Sequence, residues 1–408
     1  MAQALSSTVE ALHEDLADEL ALLDNENTVF SSTVQSGGKA ENSVYARVAD
    51  AMLSGRMGAR SEGTATTRST VANQFTNRKK IQGIVQEKRE DWGVSKRMAN
   101  VENAAGIKNI EGESRYRGLE RHKQGKELTY LSQQVQGDDT YVYNDEGTIV
   151  QAHTTQGASA WIESDAQKNS EYAVNSSYRP ASTQIINVAA FSDFTETNLR
   201  TLLRLSRVAK RKNSKLTCFA TTEFADHLAT FFDSGSTASS KTPIRRFNQD
   251  ASDHQITSML TGYKTAHGTL MVLPTELLNG TRNGGSLAGA ATTNGDATVT
   301  VTSTAGLQSY QKIAGAGITA GTHIASITNA TTFELSANAT ATGSPTLTLG
   351  EYDHALLLEM EYFFELLNGL EEEDLSPDGS GSQGFVNEFF SLFCSMPKVH
   401  AKVVTQPS

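Results

Sequence analysis

Cysteine is nearly absent: Cys218 and Cys394 are the only two in 408 residues, they stand far apart, and each sits in an apolar run. That spacing excludes a disulfide framework and a cysteine-built zinc site, and both read as buried thiols. Histidine is sparse as well. The nine, at 13, 122, 153, 227, 254, 267, 323, 354 and 400, never take the H-x-x-x-H or H-E-x-x-H spacing that would put two imidazoles on one helix face. No G-x-S-x-G marks a nucleophile elbow. No apolar run approaches the roughly 18 residues of a membrane helix, the densest clusters being Ala355–Leu358 and Phe389–Cys394. The stretch Met1–Glu14 is polar and acidic, the wrong composition for a secretory signal, so the protein is expected to stay in the compartment where it is made.

Two partial motifs fail on inspection. Gly235-Ser-Thr-Ala-Ser-Ser240-Lys241-Thr242 has serine where a phosphate loop needs its second glycine, and Pro243 follows almost at once. Asp374, Ser376, Asp378 and Gly379 match positions one, three, five and six of a calcium loop, but position twelve is Phe385 where a bidentate carboxylate is required. The sequence therefore nominates no catalytic, cofactor-binding or metal-ligating residue and no cofactor, and it predicts no enzyme.

What the sequence does have is charge divided along its length. Net charge is −11, yet Arg56–Glu127 holds 16 Lys/Arg against 9 Asp/Glu, which leaves 19 against 37 elsewhere. Residues 1–36 carry seven acids and no Lys or Arg, and Glu351–Phe390 carries eleven acids and none. Opposite charge on two parts of one chain suits self-association, a basic stretch of one copy meeting an acidic stretch of another. Aromatics near Arg78-Lys79-Lys80, Lys88-Arg89 and Lys96-Arg97 are Phe75, Trp92 and Tyr116, too few and irregular for a stacking platform on single-stranded nucleic acid. Unspecific contact with duplex DNA stays open.

Leu12, Leu16, Leu20 and Leu23 recur at helical spacing in an otherwise mobile arm, and Gly37–Gly93 is too poor in large apolar groups to close a core by itself. A long helix is predicted over Asn100–Gln134, with Ile107, Ile110, Leu119, Leu128 and Leu131 as its apolar members and Glu113 paired with Arg117. Gly112, Gly118 and Gly125 each cost about 1 kcal/mol in an isolated helix, so packing must hold it. Beyond Ile185 helices and strands alternate: a helix over Thr195–Lys212 capped by Asp193 or Thr195, a strand at Leu216–Ala220, a helix at Thr222–Phe232, and a strand at Gly268–Leu273. Residues 286–349 break the pattern, with three charged residues (Asp296, Lys312, Glu334) and period-two alternation, as expected of an inserted all-β module. Glu371–Asp374 reads as a solvated loop, Phe385–Ser395 as a strand, and Lys398–Val404 as its continuation.

Arm, extended loop, long helix, α/β domain and closing strand, in that order, resemble the major capsid proteins of tailed bacteriophages. The segments that carry the resemblance are Gly157-Ala-Ser-Ala-Trp161-Ile162, the helix-strand-helix of 195–232, Gly262–Pro274, the apolar runs in Asp353–Leu367, and Gly384–Val404. The resemblance implies an α+β fold: N-terminal arm (1–36), extended loop (37–93), peripheral domain with a spine helix (94–190), axial domain (191–285 and 350–370), and a return to the peripheral domain (371–408). The 286–349 module is an addition similar to small immunoglobulin-like repeats of phage structural proteins. It further implies a shell subunit of the virion, assembled in the host bacterial cytoplasm into pentamers and hexamers around packaged double-stranded DNA, with portal, scaffold or decoration proteins as partners and no membrane. Alternatives left open are a tail, decoration or adhesion component, and an intracellular α/β enzyme.

Overall fold

The computed structural model describes residues 28–50, 61–63, 78–99, 109–143, 149–164, 172, 174–188, 190–233, 262–278, 286–305, 307, 311–319, 321–350, 352–376 and 381–405. The predicted arm helix at Leu12–Leu23, together with Val71, Phe75, Ile107 and the loop Gly235–Thr242, lies outside these residues. In chain order come α1 (Val29–Thr33), β1 (Gln35–Gly38), β2 (Val44–Ala49), β3 (Lys79–Ile84), β4 (Gln86–Ser95), α2 (Lys96–Ala99) and the long α3 (Ile110–Leu131). A hairpin of β5 (Gly137–Tyr143) and β6 (Ile149–Thr154) precedes α4 (Ala158–Trp161) and β7 (Ile185–Asn187). Then follow α5 (Glu196–Lys210), β8 (Ser214–Ala220), α6 (Thr222–Asp233), β9 (Gly262–Thr265) and β10 (Gly268–Pro274). Six short strands come next: β11 (Ser286–Leu287), β12 (Thr298–Thr300), β13 (Ile313–Ala314), β14 (Ile324–Asn329), β15 (Thr332–Leu335) and β16 (Leu347–Leu349). The chain closes with β17 (Tyr352–Leu358), β18 (Phe363–Leu375), β19 (Gly381–Cys394) and β20 (Ala401–Thr405).

The chain divides into two compact units. The larger comprises Asn27–Lys88, Gln124–Gly369 and Glu388–Ser408. Its centre is a six-stranded sheet of order β7-β20-β17-β8-β10-β9, in which β8 and β10 run parallel with α6 between them, the crossover that a parallel pair requires. Strand β8 alternates so that Leu216, Cys218 and Ala220 face α5 and α6, where Leu199, Leu202, Leu203, Phe224 and Leu228 cover them. Phe219 points to the opposite face, into a second core with Phe30, Tyr130, Leu131, Trp161, Phe363, Phe390 and Phe393. The Gly157–Ile162 segment is buried throughout, and Gly157 is required there: a Cβ would stand 2.1 Å from the Ser132 carbonyl oxygen.

Residues 286–349 form two three-stranded antiparallel sheets, β11-β16-β13 and β12-β15-β14, around a core of their own that includes Val299, Ile324, Phe333, Leu335 and Leu347. Ser286 pairs with Thr348, so the stretch enters and leaves at adjacent points.

The smaller unit holds Arg89–Lys123 and Leu370–Asn387 among the described residues. Trp92, Val94 and Val386 are its buried apolar groups. At Gly384 a Cβ would stand 2.5 Å from the Trp92 indole ring, whereas at Gly118 on α3 it would make only an ordinary contact with Trp92.

Several expectations are corrected. The described apolar core residues of the 28–93 region do not need a neighbouring copy to bury them. Phe30, Ile81, Ile84 and Trp92 are each at most 5% exposed within the subunit, because α1 inserts Phe30 into the aromatic core and β3 pairs with β2 as a hairpin. Helix α3 begins at Ile110, and its apolar residues form no stripe. Leu119 and Leu128 are only half-buried, whereas His122, Glu127, Tyr130 and Leu131 are buried, so polar groups occupy the inward face. Thr195 stands at the N-cap of α5 without a side-chain bond, and the Asp193 carboxylate instead accepts from the Ala190 N–H one turn earlier. Glu371–Asp374 is not a loop but the end of β18, where alternate carboxylates find a cation on α3. Lys398–Val404 does not prolong β19: a 3₁₀ turn at Pro397–Val399 breaks the strand and β20 joins the six-stranded sheet, while β19 lies in the sheet β1-β18-β19-β4.

Candidate intersubunit surfaces

The charge division seen in the sequence is partly consumed inside the subunit. In the smaller unit the Arg115 guanidinium donates to Glu111 at 2.9 Å and Asp374 at 2.8 Å, reaches Glu372 at 3.4 Å, and lies 4.3 Å from the Trp92 ring centre. Arg117 pairs with Glu113 at 2.7 Å as expected, and Arg121 with Glu90 at 2.8 Å. These pairs are largely exposed, so solvent screens them and each contributes little to stability. Asp374, the first position of the partial calcium loop, is thereby engaged with arginine; Asp378 and Gly379 lie outside the described residues.

In the larger unit the ion pairs of Arg78 with Asp50 and of Lys212 with Glu361 are exposed, but one basic–acidic cluster is buried. Lys126 bridges Glu365 at 3.2 Å and Glu388 at 3.3 Å, and the Tyr130 hydroxyl donates to Glu365 at 2.6 Å. Next to it Glu127 accepts from the Phe30 N–H at 2.6 Å, the Ser31 N–H at 2.8 Å and the Ser31 hydroxyl at 2.5 Å. Burial pushes the Glu127 carboxyl above the usual carboxylate range, against the pull of those three donors. This network fastens α1 and the chain entering it to the end of the long helix.

Both cysteines are free, buried thiols. Burial alone pushes Cys218 up to about 12. Cys394 lies 3.2 Å from His400 Nε2, a contact the sequence could not show. The pair is wired against nucleophilic activation. The Glu359 N–H donates to His400 Nδ1 at 3.0 Å, so the neutral ring carries its proton on Nε2 and offers it to the sulfur instead of accepting one. Burial also depresses the His400 imidazole to about 3 and raises the Cys394 thiol. Unfolding should report this directly. Between pH 6.5 and about 3 the unfolded chain takes up a proton that His400 refuses when folded, so stability is full above 6.5 and falls as pH drops, by about 1.4 kcal/mol per pH unit. Glu127, with its raised affinity for a proton, acts in the opposite sense at the acidic end. Urea titrations at pH 7 and pH 5 should show the loss, and His400→Gln should flatten it; equal slopes in the two proteins would remove His400 from the account.

Among the described residues no group of three or more His, Cys, Asp or Glu side chains stands close enough to hold a metal ion, and no helix is long and apolar enough to cross a membrane. What the surface offers instead is area for packing. Val48, Met98, Tyr116, Val208 and Met271 are each at least half exposed.

The described residues thus form a sheet domain with two helices on one face, a long helix with a polar inner side, and the antiparallel pair of β2 and β3, with no reactive cluster among them. The model of one family, the SU10 major capsid protein, matches residues 2–288. The chain belongs to that family. As a major capsid protein it is a structural subunit of a phage virion, and it forms the shell together with copies of itself. Solved capsid structures share its fold across almost the whole chain. A structure of Mycobacterium phage Bobi is 10% identical, with a TM-score of 0.51 and 100% of both chains covered. The capsid of an empty GTA particle is 9% identical at a TM-score of 0.51, covering 99% of this chain and 98% of that one. The cyanophage Pam1 capsid is 8% identical at 0.50, covering 99% and 98%. No curated protein matches the chain. The expected α+β tailed-phage capsid fold is thus the observed one.

Proposed function

We propose that this major capsid protein builds an icosahedral shell of pentamers and hexamers around packaged double-stranded DNA, assembled in the bacterial cytoplasm. In this reading 191–285 and 350–370 form the axial domain, 94–190 and 371–408 the peripheral domain, and 286–349 an immunoglobulin-like module carried on the outside. Portal, scaffold and decoration proteins would meet the finished shell, and DNA would meet it by unspecific charge contact. The observation that carries the reading is the family match over 2–288 together with a fold shared with capsids of equal length. Heterologous contacts of one subunit with the next close into rings, which is the geometry pentamers and hexamers need. Negative-stain imaging of the overexpressed protein tests it: closed shells or capsomers are expected, and a compact monomer at high concentration would overturn it.

The module makes a separate prediction. It has its own core, and its first and last strands pair at Ser286 and Thr348, so removing it leaves two ends already side by side. Replacing 286–349 with a short Gly/Ser linker changes loop-closure entropy by only ~0.6 kcal/mol per doubling of length. Shells of normal diameter are expected by electron microscopy. Aggregation of the truncated protein would mean that the module is an obligatory part of the subunit core or of an intersubunit contact.

A further inference from the structure

Helix α5 carries a row of cations that form no ion pair among the described residues. Arg200, Arg204 and Arg207 recur at i, i+4 and i+7, all exposed, along roughly 10 Å of one flank, and Arg211, the left-handed C-cap of the helix, is exposed just beyond them. Arg207 donates to the Ala266 carbonyl at 2.7 Å, which fixes its direction without cancelling its charge. No described carboxylate forms an ion pair with any of the four, whereas Lys210 and Lys212, on the same helix end, share Glu361. Val208, 66% exposed, lies on the crest beside the row. The complement lies on α6 of the same domain: Glu223 and Asp226, one turn apart, are exposed and form no ion pair among the described residues, although Glu223 stands near enough to act on the His354 imidazole. Both helices are held on one face of the six-stranded sheet by a single core, so the two charged surfaces keep a fixed relation within each subunit.

Resting on the shell reading, we propose that the arginine flank of α5 in one subunit docks on Glu223 and Asp226 of α6 in a second copy, as the repeating head-to-tail contact of a capsomer ring. A contact between two different patches of one surface is heterologous and closes into a ring when the rotation allows; a self-complementary patch would stop at a dimer. Guanidinium is the right group for it, since its planar fork binds carboxylate in two parallel hydrogen bonds. The carboxylates at the end of β18 are a poorer match, because Glu372 and Asp374 are already shared with Arg115.

The test is charge reversal and its repair in the full-length protein. Arg200→Glu with Arg204→Glu should lower capsomer and shell yield about tenfold or more, like charges now facing each other. Adding Glu223→Arg and Asp226→Arg in the same chain should restore it, since every ring contact is then reversed on both sides. Four results would overturn the proposal. One is normal shell yield from the arginine double variant. A second is that variant forming normal shells that retain less DNA, which assigns the row to nucleic acid. A third is rescue by Glu371→Arg with Glu373→Arg and not by the α6 pair, which moves the contact to β18. The fourth is failure of the wild-type protein to form rings or shells, which removes the parent reading as well; wild-type shells beside unaffected arginine variants remove only this contact.

Discussion

Truncation of Phe30 to alanine should destabilise the unassembled subunit by about 3–5 kcal/mol, as loss of a large aromatic from a packed core does. Phe30 is fully buried and meets Phe219 at 5.2 Å, Tyr130 at 5.9 Å and Phe363 at 6.1 Å, all edge to face, a geometry that adds about 0.5–1.5 kcal/mol per pair beyond area alone. Its backbone is held as well, through Glu127. The same change should raise amide exchange across β2 and β3, because Ile81 and Val85 belong to the cluster that Phe30 fills. Urea unfolding and hydrogen exchange on dissociated protein measure both effects, with Phe389→Ala, at a partly exposed site, as the control. A loss below about 1 kcal/mol, within the range of ordinary surface substitutions, would show that α1 is an adhering strap and not part of the core.

That result bears on how such a subunit is kept in order before assembly. An arm and loop that stayed unfolded until neighbours arrived would charge the ordering entropy, about 1–2 kcal/mol per backbone residue, to assembly. Here Phe30, Ile81, Ile84 and Trp92 are already buried in the subunit, so for the described part of this region the ordering accompanies folding.

How much of this was legible depends on which rule the packing obeys. Helix α5 and strand β8 could be read because Leu199, Leu202 and Leu203 fall on one helical face and Leu216, Cys218 and Ala220 on one strand face, and both meet a purely apolar core. The all-β character of 286–349 could be read from its loss of charge and its period of two. Helix α3 could be located but not oriented, since its inward face is built from His122, Glu127 and Tyr130, groups that a sequence assigns to solvent. The role of Phe30 rests on one aromatic in an acidic stretch, with no periodicity to announce it. The acidic end of β18 looked like a loop because all its side chains are exposed and only pairing with β19 makes it a strand. The arginines of α5 could be placed on a helix but not weighed; that Arg200, Arg204 and Arg207 share one flank without an ion pair among the described residues is a property of the folded surface.

Lys402 is the group whose burial the sequence concealed most completely, and its removal should have an effect as large as that of Phe30. It lies on β20 between β17 and β7, fully buried, with its ammonium 2.5 Å from Glu163 Oε1 and 3.3 Å from the Ser159 hydroxyl. A charge is held there at a desolvation penalty of several kcal/mol, which the facing carboxylate, together with the Ser159 hydroxyl and carbonyl, helps to offset. Lys402→Met should therefore cost about 3–5 kcal/mol, because Glu163 keeps its charge and loses its counter-ion. Lys402→Met combined with Glu163→Leu should recover most of that loss, since no unpaired charge remains. Thermal unfolding of the four proteins in the cycle gives the coupling. A double variant whose loss equals or exceeds the sum of the two single losses would mean that the pair contributes nothing by mutual attraction, and that Lys402 acts through its aliphatic stem in the sheet alone.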